Sequence, residues 1–165
     1  MWTIQDFFLL GMKREISTLI SPRGEQLNLG AGFSNIENAI NLDLPEWDAT
    51  KDPIPYNDEC VDTIHAYHFL EHFTGEQVIK ILRECERVLK RGGTMNIVVP
   101  HRIGSLAFQN LDHKSFWTED VYNNLFYDDT YIGNRETPWL FNIRVNVIIG
   151  IAERNLCLMT QLERI

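Results

Sequence analysis

The chain has 165 residues, of which 44% are hydrophobic and 11% aromatic, enough for one hydrophobic core and too few for two. Fifteen lysines and arginines stand against 23 aspartates and glutamates, a formal charge of -8 without a basic cluster, so no nucleic-acid partner is expected. Three widely spaced cysteines and charge-broken apolar stretches predict reduced thiols, no membrane partner and a soluble protein of the cytoplasm.

The first 25 residues predict a leading amphipathic helix, because their apolar positions recur every three or four residues and the pattern stops before Pro22. The apolar positions are Ile4, Phe8, Met12, Ile16 and Leu19. This helix is expected to pack on the elements that follow it.

Two short apolar runs, at residues 26–29 and 39–42, predict strands that are buried on both faces. The turn after the first run contains Gly30 and Gly32, whose missing Cβ atoms allow a backbone to approach a ligand closely. Asp43 follows the second run, where a carboxylate can accept both hydroxyls of a ribose. A parallel pair usually needs a crossover of about a dozen residues, so an antiparallel hairpin without a ligand remains the alternative.

A strand, a helix and a further strand are predicted next, which is a βαβ unit. The strands are residues 61–67 and residues 94–99, the second ended by Pro100. Thr74 and Gln77 form a capping box at the start of the helix, and the pair Gly92 and Gly93 is expected to end it. The buried face of the helix is predicted to be Val78, Ile81, Leu82, Cys85 and Val88.

The last third of the chain combines long loops, a helix predicted at residues 118–126, and two apolar runs at residues 140–151 and 155–162 that suit a closing antiparallel hairpin. His101 follows the fourth strand directly, and an imidazole titrating near pH 6.5 could take a proton from an acceptor hydroxyl. His113 and Trp117 lie in a polar and aromatic segment that suits a small polar acceptor. The alternative is that Phe116 and Trp117 seal the core beneath the loop.

The segments LNLGAG, INLDL, DATKDPIPYNDECVD, IHAYHFLEH and LRECERVLKRGGTMNIVVP resemble, in this order, the motifs of class I S-adenosylmethionine-dependent methyltransferases with a shortened first crossover. The resemblance extends from about residue 27 to residue 99. It implies a Rossmann-like α/β fold, S-adenosylmethionine as cofactor, and a cleft at the carboxyl ends of the parallel strands.

The resemblance also implies roles for individual residues. Gly30 and Gly32 would border the methionine part of the cofactor, Asp43 would hold the ribose hydroxyls, and Asp52 would lie near the adenine amino group. The complete set of cofactor-binding residues implied in this way is Gly30, Ala31, Gly32, Asp43, Leu44, Asp52 and His68.

The segment from His68 to His72 also matches H-x-x-E-H, the inverted zincin pattern, in which two histidines on one helical face bind zinc. That arrangement needs a continuous helix. Residues 61–67 read instead as a strand, and Thr74 caps a helix that begins only after His72. No metal is therefore predicted.

The expectation is one domain over residues 1–165, of α/β class, with a mostly parallel sheet and a terminal antiparallel strand. Its parts are the leading helix (1–25), the cofactor-binding half (26–100), and the substrate-side loops, helix and closing hairpin (101–165). The predicted function is methyl transfer from S-adenosylmethionine to a small molecule such as a sugar, a nucleotide or a metabolite, with His101 as catalytic base. A catalytically silent cofactor-binding module and a structural or assembly subunit remain alternatives.

Overall fold

The computed structural model describes residues 24–128, 137–150 and 155–165. The predicted leading helix at residues 1–25 therefore lies outside the described residues, apart from its last two positions. Within the described ranges no helix has the length and apolar character needed to cross a membrane.

The described strands form one six-stranded sheet in the order β2-β1-β3-β4-β6-β5. They are β1 (Gln26–Leu29), β2 (Ile40–Leu42), β3 (Val61–Tyr67), β4 (Leu89–Pro100), β5 (Phe141–Ile149) and β6 (Cys157–Arg164). The first four strands are parallel, whereas β6 pairs antiparallel with both β4 and β5. The predicted α/β class, mostly parallel sheet and antiparallel end are confirmed. The closing hairpin is also confirmed, and its second strand is the one that meets β4.

β1 and β2 run parallel, with Leu27 opposite Ile40 and Leu29 opposite Leu42. The hairpin alternative is therefore wrong, although only residues 30–39 connect the two strands and no helix lies between them. The carboxyl ends of β1 and β2 consequently meet at the same edge of the sheet, which brings the glycine turn next to Asp43.

Burial differs between these two strands. Leu27 and Leu29 of β1 are fully buried, as predicted. Ile40 of β2 is 40% exposed, so the prediction that both strands are buried on both faces is wrong for β2. The physical reason is its place at the edge of the sheet, with a connection to β1 too short to cover it with a helix.

Helix α1 (Gly75–Val88) begins with the predicted capping box: the Thr74 hydroxyl accepts from the Gln77 N–H, and the Gln77 side chain accepts from the Thr74 N–H. All five residues predicted for its apolar face are buried. The predicted end at Gly92 and Gly93 is wrong, because the fully buried Leu89 already pairs with Val61 in the sheet. Gly92, at φ +77°, lies instead in the irregular part of β4.

Three shorter helices complete the described part of the chain: a 3-10 helix (Leu70–His72), α2 (Leu106–Gln109) and α3 (Asp120–Tyr127). Helix α3 confirms the helix predicted at residues 118–126 and begins two residues later. It buries Tyr122, Leu125 and Phe126 in the same hydrophobic core as the apolar face of α1. The loops that contain the predicted site residues are thus anchored on one core.

Candidate cofactor site

The glycine turn and Asp43 are joined by backbone hydrogen bonds. The Gly30 N–H donates to the Leu42 carbonyl at 2.9 Å, which fixes the turn on the end of β2. Asp43 then accepts the Gly32 N–H at Oδ2 (2.6 Å) and the Leu44 N–H at Oδ1 (2.8 Å). The carboxylate is therefore oriented by the main chain on both sides, without a cationic side chain in these contacts.

This carboxylate fits the ribose diol of a nucleoside cofactor. An ionised carboxylate offers about four lone-pair positions, of which the two backbone bonds occupy two. Asp43 is half-buried, so the remaining positions are open to a ligand. With respect to the described residues, the space at Gly32 is open as well: a Cβ built there would meet nothing nearer than Asp43 Oδ2, at 4.0 Å.

Gly30 is required for a different reason. A Cβ at this position would lie 2.2 Å from Cδ2 of Phe69, so the missing side chain makes room for a buried ring rather than for a ligand. Phe69 cannot move aside easily, because it packs against Trp47 (6.2 Å between ring centroids) and Phe73 (4.8 Å). Both glycines have positive φ, +65° at Gly30 and +48° at Gly32. Ala31 between them is buried.

Two asparagines that the sequence analysis did not single out hold the short connection in place. Asn28 of β1 donates to Asn41 Oδ1 (2.8 Å) and to the Ser34 carbonyl (3.1 Å). Asn41 of β2 also accepts the Ile36 N–H and donates to the Ala39 carbonyl. These side-chain hydrogen bonds order the short connection between β1 and β2, which contains no crossover helix. The signal was an asparagine in the middle of each short strand, at positions that the parallel register brings opposite each other.

His68 directly follows β3 in a left-handed backbone conformation (φ +54°), and its N–H donates to the Val98 carbonyl. Its ring Nδ1 lies 3.2 Å from Glu71 Oε1, and 27% of the side chain is exposed. Burial alone would lower the pKa of His68, but hydrogen bonds to Cys157 and Glu71 outweigh burial and raise the pKa to about 10. His68 is therefore cationic at neutral pH, next to the Phe69 ring that covers Gly30.

Asp52 and Leu44 are less directly connected with the turn. Leu44 donates its N–H to Asp43, but its side chain is 66% exposed. Asp52 accepts the Asp48 N–H at 3.1 Å and lines a pocket of about 410 Å³ between residues 47–54 and helix α1. None of Gly30, Gly32 and Asp43 lines that pocket. An adenine contact by Asp52 thus stays a prediction.

His101 lies at the carboxyl end of β4 as predicted, but only 3% of it is exposed. Its Nε2 is 2.9 Å from Glu119 Oε2, and its Nδ1 accepts the Ile103 N–H at 3.4 Å. The ring therefore carries its proton on Nε2 and has no free nitrogen in this arrangement. The pKa of Glu119 is lowered, mainly by a hydrogen bond from the Glu119 backbone and next by the hydrogen bond from His101. A catalytic role for His101 stays a prediction that requires the contact with Glu119 to open.

The two predicted acceptor-binding residues differ in position. Trp117 is 2% exposed, packs on Tyr122 and donates its indole N–H to Ser115 Oγ. Trp117 therefore packs in the core, as the sealing alternative describes, and a contact between Trp117 and an acceptor stays a prediction. His113 is half-buried, and its ring lies 5.0 Å from that of His72.

The inverted zincin geometry does not form. His68 precedes the 3-10 helix, and α1 begins only at Gly75, so His68 and His72 do not share a continuous α-helix. This agrees with the argument from the Thr74 cap.

Comparison with known proteins agrees with the fold. Residues 18–97 match the family described as methyltransferase domain. This match covers slightly less than half of the chain. No curated protein matches the sequence of the chain. The family match and the fold agree with S-adenosylmethionine as the predicted cofactor.

Solved structures share the fold at low sequence identity. A chain of the Haloferax volcanii complex between the Trm112 methyltransferase activator and a methyltransferase is 12% identical, with a TM-score of 0.66 over 98% of this chain and 92% of that chain. A SAM-dependent methyltransferase from Methanosarcina mazei is 14% identical, with a TM-score of 0.63 over 91% and 96%. The N-methyltransferase NodS from Bradyrhizobium japonicum, solved with S-adenosyl-L-homocysteine, is 10% identical, with a TM-score of 0.62 over 97% and 86%.

Proposed function

We propose that this protein transfers a methyl group from S-adenosylmethionine to a small polar molecule. The proposal rests on one observation above the others. Asp43 presents a half-buried carboxylate with open acceptor positions beside a glycine turn, and among the described residues nothing packs within 4 Å of a Cβ built on Gly32 except Asp43 itself. A ribose diol satisfies those positions, and the uncovered backbone at Gly32 admits the adjoining part of the cofactor.

The proposed cofactor residues divide into two groups. The first group faces the proposed ligand and consists of Gly32, Asp43 and the Leu44 backbone. Gly30 and Ala31 belong to the same turn but lie on its buried side. His68 and Asp52 belong to the neighbouring loops, and their contacts with the cofactor are part of the proposal. When bound, S-adenosylmethionine supplies a methyl group on a sulfonium, which is activated for in-line displacement.

The residues of this chain then contribute mainly by positioning. In a displacement of this kind, holding the acceptor in line supplies much of the rate, and a base is needed only where the acceptor must lose a proton. The proposed acceptor is a sugar, a nucleotide or another small metabolite, bound by the loops that follow β4. His113 lies on these loops, and His101 could serve as base once it separates from Glu119.

One observation favours a second candidate, a binding module without catalysis. Both ring nitrogens of His101 are occupied, so the only base predicted for the site is blocked in this arrangement. Such a module would still bind the cofactor through Asp43. Turnover distinguishes the two candidates, because only the enzyme releases S-adenosylhomocysteine in the presence of an acceptor.

The experiment is calorimetric titration of the full chain with S-adenosylhomocysteine, for the wild type and for Asp43→Asn. The amide cannot accept both ribose hydroxyls. A hydrogen bond to a charged group is worth about 1.5–3 kcal/mol, so the dissociation constant should rise about 10- to 150-fold. The matched control is Asp58→Asn. Asp58 is an exposed acidic residue that precedes β3, at the amino-terminal ends of the parallel strands, whereas the turn lies at their carboxyl ends.

An unchanged affinity in Asp43→Asn, or the absence of binding by the wild type, would overturn the proposal. Where the wild type binds, incubation with S-adenosylmethionine and a panel of sugars, nucleotides and small metabolites follows, with S-adenosylhomocysteine as the readout. Product formation supports the enzyme, and binding without product across the panel supports the module.

A further inference from the structure

A cluster of potential metal ligands lies after the carboxyl end of β3, and the function proposed above uses only one of its members, His113, and not as a metal ligand. Glu71, His72 and His113 each offer one ligand atom, and these three atoms lie within 4.8 Å of one another. Two imidazoles and one carboxylate are a ligand set that proteins use for zinc and other divalent transition metals. The cluster is distinct from the inverted zincin pattern, because His113 takes the place of His68.

The carboxylate is the strongest indication of a ligand. Glu71 is 1% exposed, and its Oε2 has no hydrogen-bond partner among the described residues. Its other oxygen, Oε1, is held by His68 at 3.2 Å. A buried carboxylate oxygen without a partner is costly, since burial removes its water and nothing replaces it. A cation bound at Oε2 would remove this cost.

The histidines are arranged to complete such a site. His113 Nδ1 lies 3.0 Å from the Ala107 carbonyl, which fixes the proton on Nδ1 and leaves Nε2 as the lone-pair donor. Metal-binding histidines are commonly oriented in this way by a backbone carbonyl. The ring of His72 lies 5.0 Å from that of His113, at an interplanar angle of 77°.

The backbone holds these residues together, although 41 positions separate His72 from His113. The Glu71 carbonyl accepts the N–H groups of Lys114 (2.8 Å) and Ser115 (3.2 Å). The Ser115 hydroxyl donates to the Leu70 carbonyl at 3.2 Å. The loop that carries His113 is thus fixed on the 3-10 helix that carries Glu71 and His72, which keeps the backbones of the three residues close together.

We propose that Glu71 Oε2, His72 and His113 bind a divalent metal ion, with zinc the ion that suits the ligand set best. His68 orients the carboxylate from outside the coordination sphere. Three protein ligands leave a coordination position open for water or for an oxygen of the acceptor. The cluster follows the carboxyl end of β3, at the edge of the sheet where β1 and β2 present the glycine turn and Asp43. The metal proposal does not depend on cofactor binding.

The test is zinc binding by the full chain after removal of metal with a chelator, measured by calorimetric titration with zinc chloride. The wild type should bind one zinc ion per chain. Glu71→Gln and His113→Asn should weaken binding about 100-fold or more, and His68→Asn about 10- to 100-fold, the usual cost of removing an orienting partner. The control is His65→Asn, a buried histidine on β3 outside the cluster, which should bind as the wild type does.

Folding of each variant is checked without metal by circular dichroism, and zinc-dependent stabilisation of the wild type gives a second readout. His113 is half-buried on a loop, so its variant should fold. The proposal is overturned if the wild type binds no stoichiometric zinc, if folded His113→Asn keeps wild-type affinity, or if His65→Asn loses as much. Titration of the same samples with S-adenosylhomocysteine separates the two proposals: zinc binding without cofactor binding rejects only the proposed function, and the reverse result rejects only the metal site.

Discussion

The two glycines of the cofactor turn should respond differently to the same substitution. In Gly30→Ala the new Cβ lies 2.2 Å from the Phe69 ring, which is buried between Trp47 and Phe73. In Gly32→Ala the nearest atom is 4.0 Å away. The first substitution should therefore damage the fold, and the second should damage the site.

The magnitudes follow from the backbone and the packing. A residue with a Cβ in the left-handed region costs about 1–2 kcal/mol, and this applies to both positions. Overpacking a buried ring adds about 1–3 kcal/mol at Gly30 alone. Gly30→Ala should thus lower the free energy of unfolding by about 2–5 kcal/mol, a large part of the roughly 5–15 kcal/mol typical of a domain. Gly32→Ala should lower it by about 1–2 kcal/mol.

Urea unfolding of both variants measures these losses, and titration with S-adenosylhomocysteine measures the site. Gly32→Ala places a methyl group where the cofactor is proposed to lie, so its affinity should fall about tenfold or more, or about 1.4 kcal/mol. Should Gly30→Ala fail to fold, the double variant with Phe69→Leu tests the same clash. Relief of the contact predicts a coupling of about 0.5–3 kcal/mol between the two positions.

Equal stability losses in Gly30→Ala and Gly32→Ala, with no coupling to Phe69, would refute the packing argument. An unchanged cofactor affinity in Gly32→Ala would refute the argument that the turn is open for a ligand. The two outcomes are independent, because one concerns the inner side of the turn and the other its outer side.

Three further predictions concern the supports of the site. Asn41→Ala leaves the buried Asn28 amide with one partner fewer, so it should lower the free energy of unfolding by about 1–3 kcal/mol. It should also weaken binding of S-adenosylhomocysteine. Normal affinity would show that the asparagine pair does not position the turn. Thr74→Ala removes the helix cap and should cost about 1 kcal/mol in urea unfolding without changing cofactor affinity, whereas a change in affinity would contradict a purely structural role. Burial lowers the pKa of His65 from 6.5 to about 4, so the stability that depends on the neutral ring is complete above pH 6.5 and is lost as the pH falls towards 4. This loss is about 2 kcal/mol at pH 5. The free energy of unfolding in urea should therefore differ less between pH 7 and pH 5 in His65→Asn than in the wild type. An equal difference in both proteins would contradict the lowered pKa of His65.

Several features of this protein are determined by local sequence. The capping box at Thr74, the apolar face of α1 and the boundaries of β1 and β3 follow from residues that are neighbours in the chain, and each is confirmed. Periodicity and capping act over one or two helical turns, so a single sequence contains all the information needed. The glycine turn followed by an aspartate, by contrast, left a parallel pair and an antiparallel hairpin both open, and only the register of the sheet shows that the pair is parallel.

Other features depend on which elements become neighbours in space. The exposure of β2 follows from its place at the edge of the sheet, and the burial of Trp117 follows from its packing on Tyr122. The need for glycine at position 30 comes from Phe69, 39 positions further along the chain.

The meeting of His113 with Glu71 and His72 is the clearest case of this kind. It requires the loop after α2 to bind the Glu71 carbonyl, a contact that no local pattern encodes. Sequence periodicity assigns elements and their buried faces, but the register of the sheet and the anchoring of loops decide which side chains meet, since those contacts join distant parts of the chain.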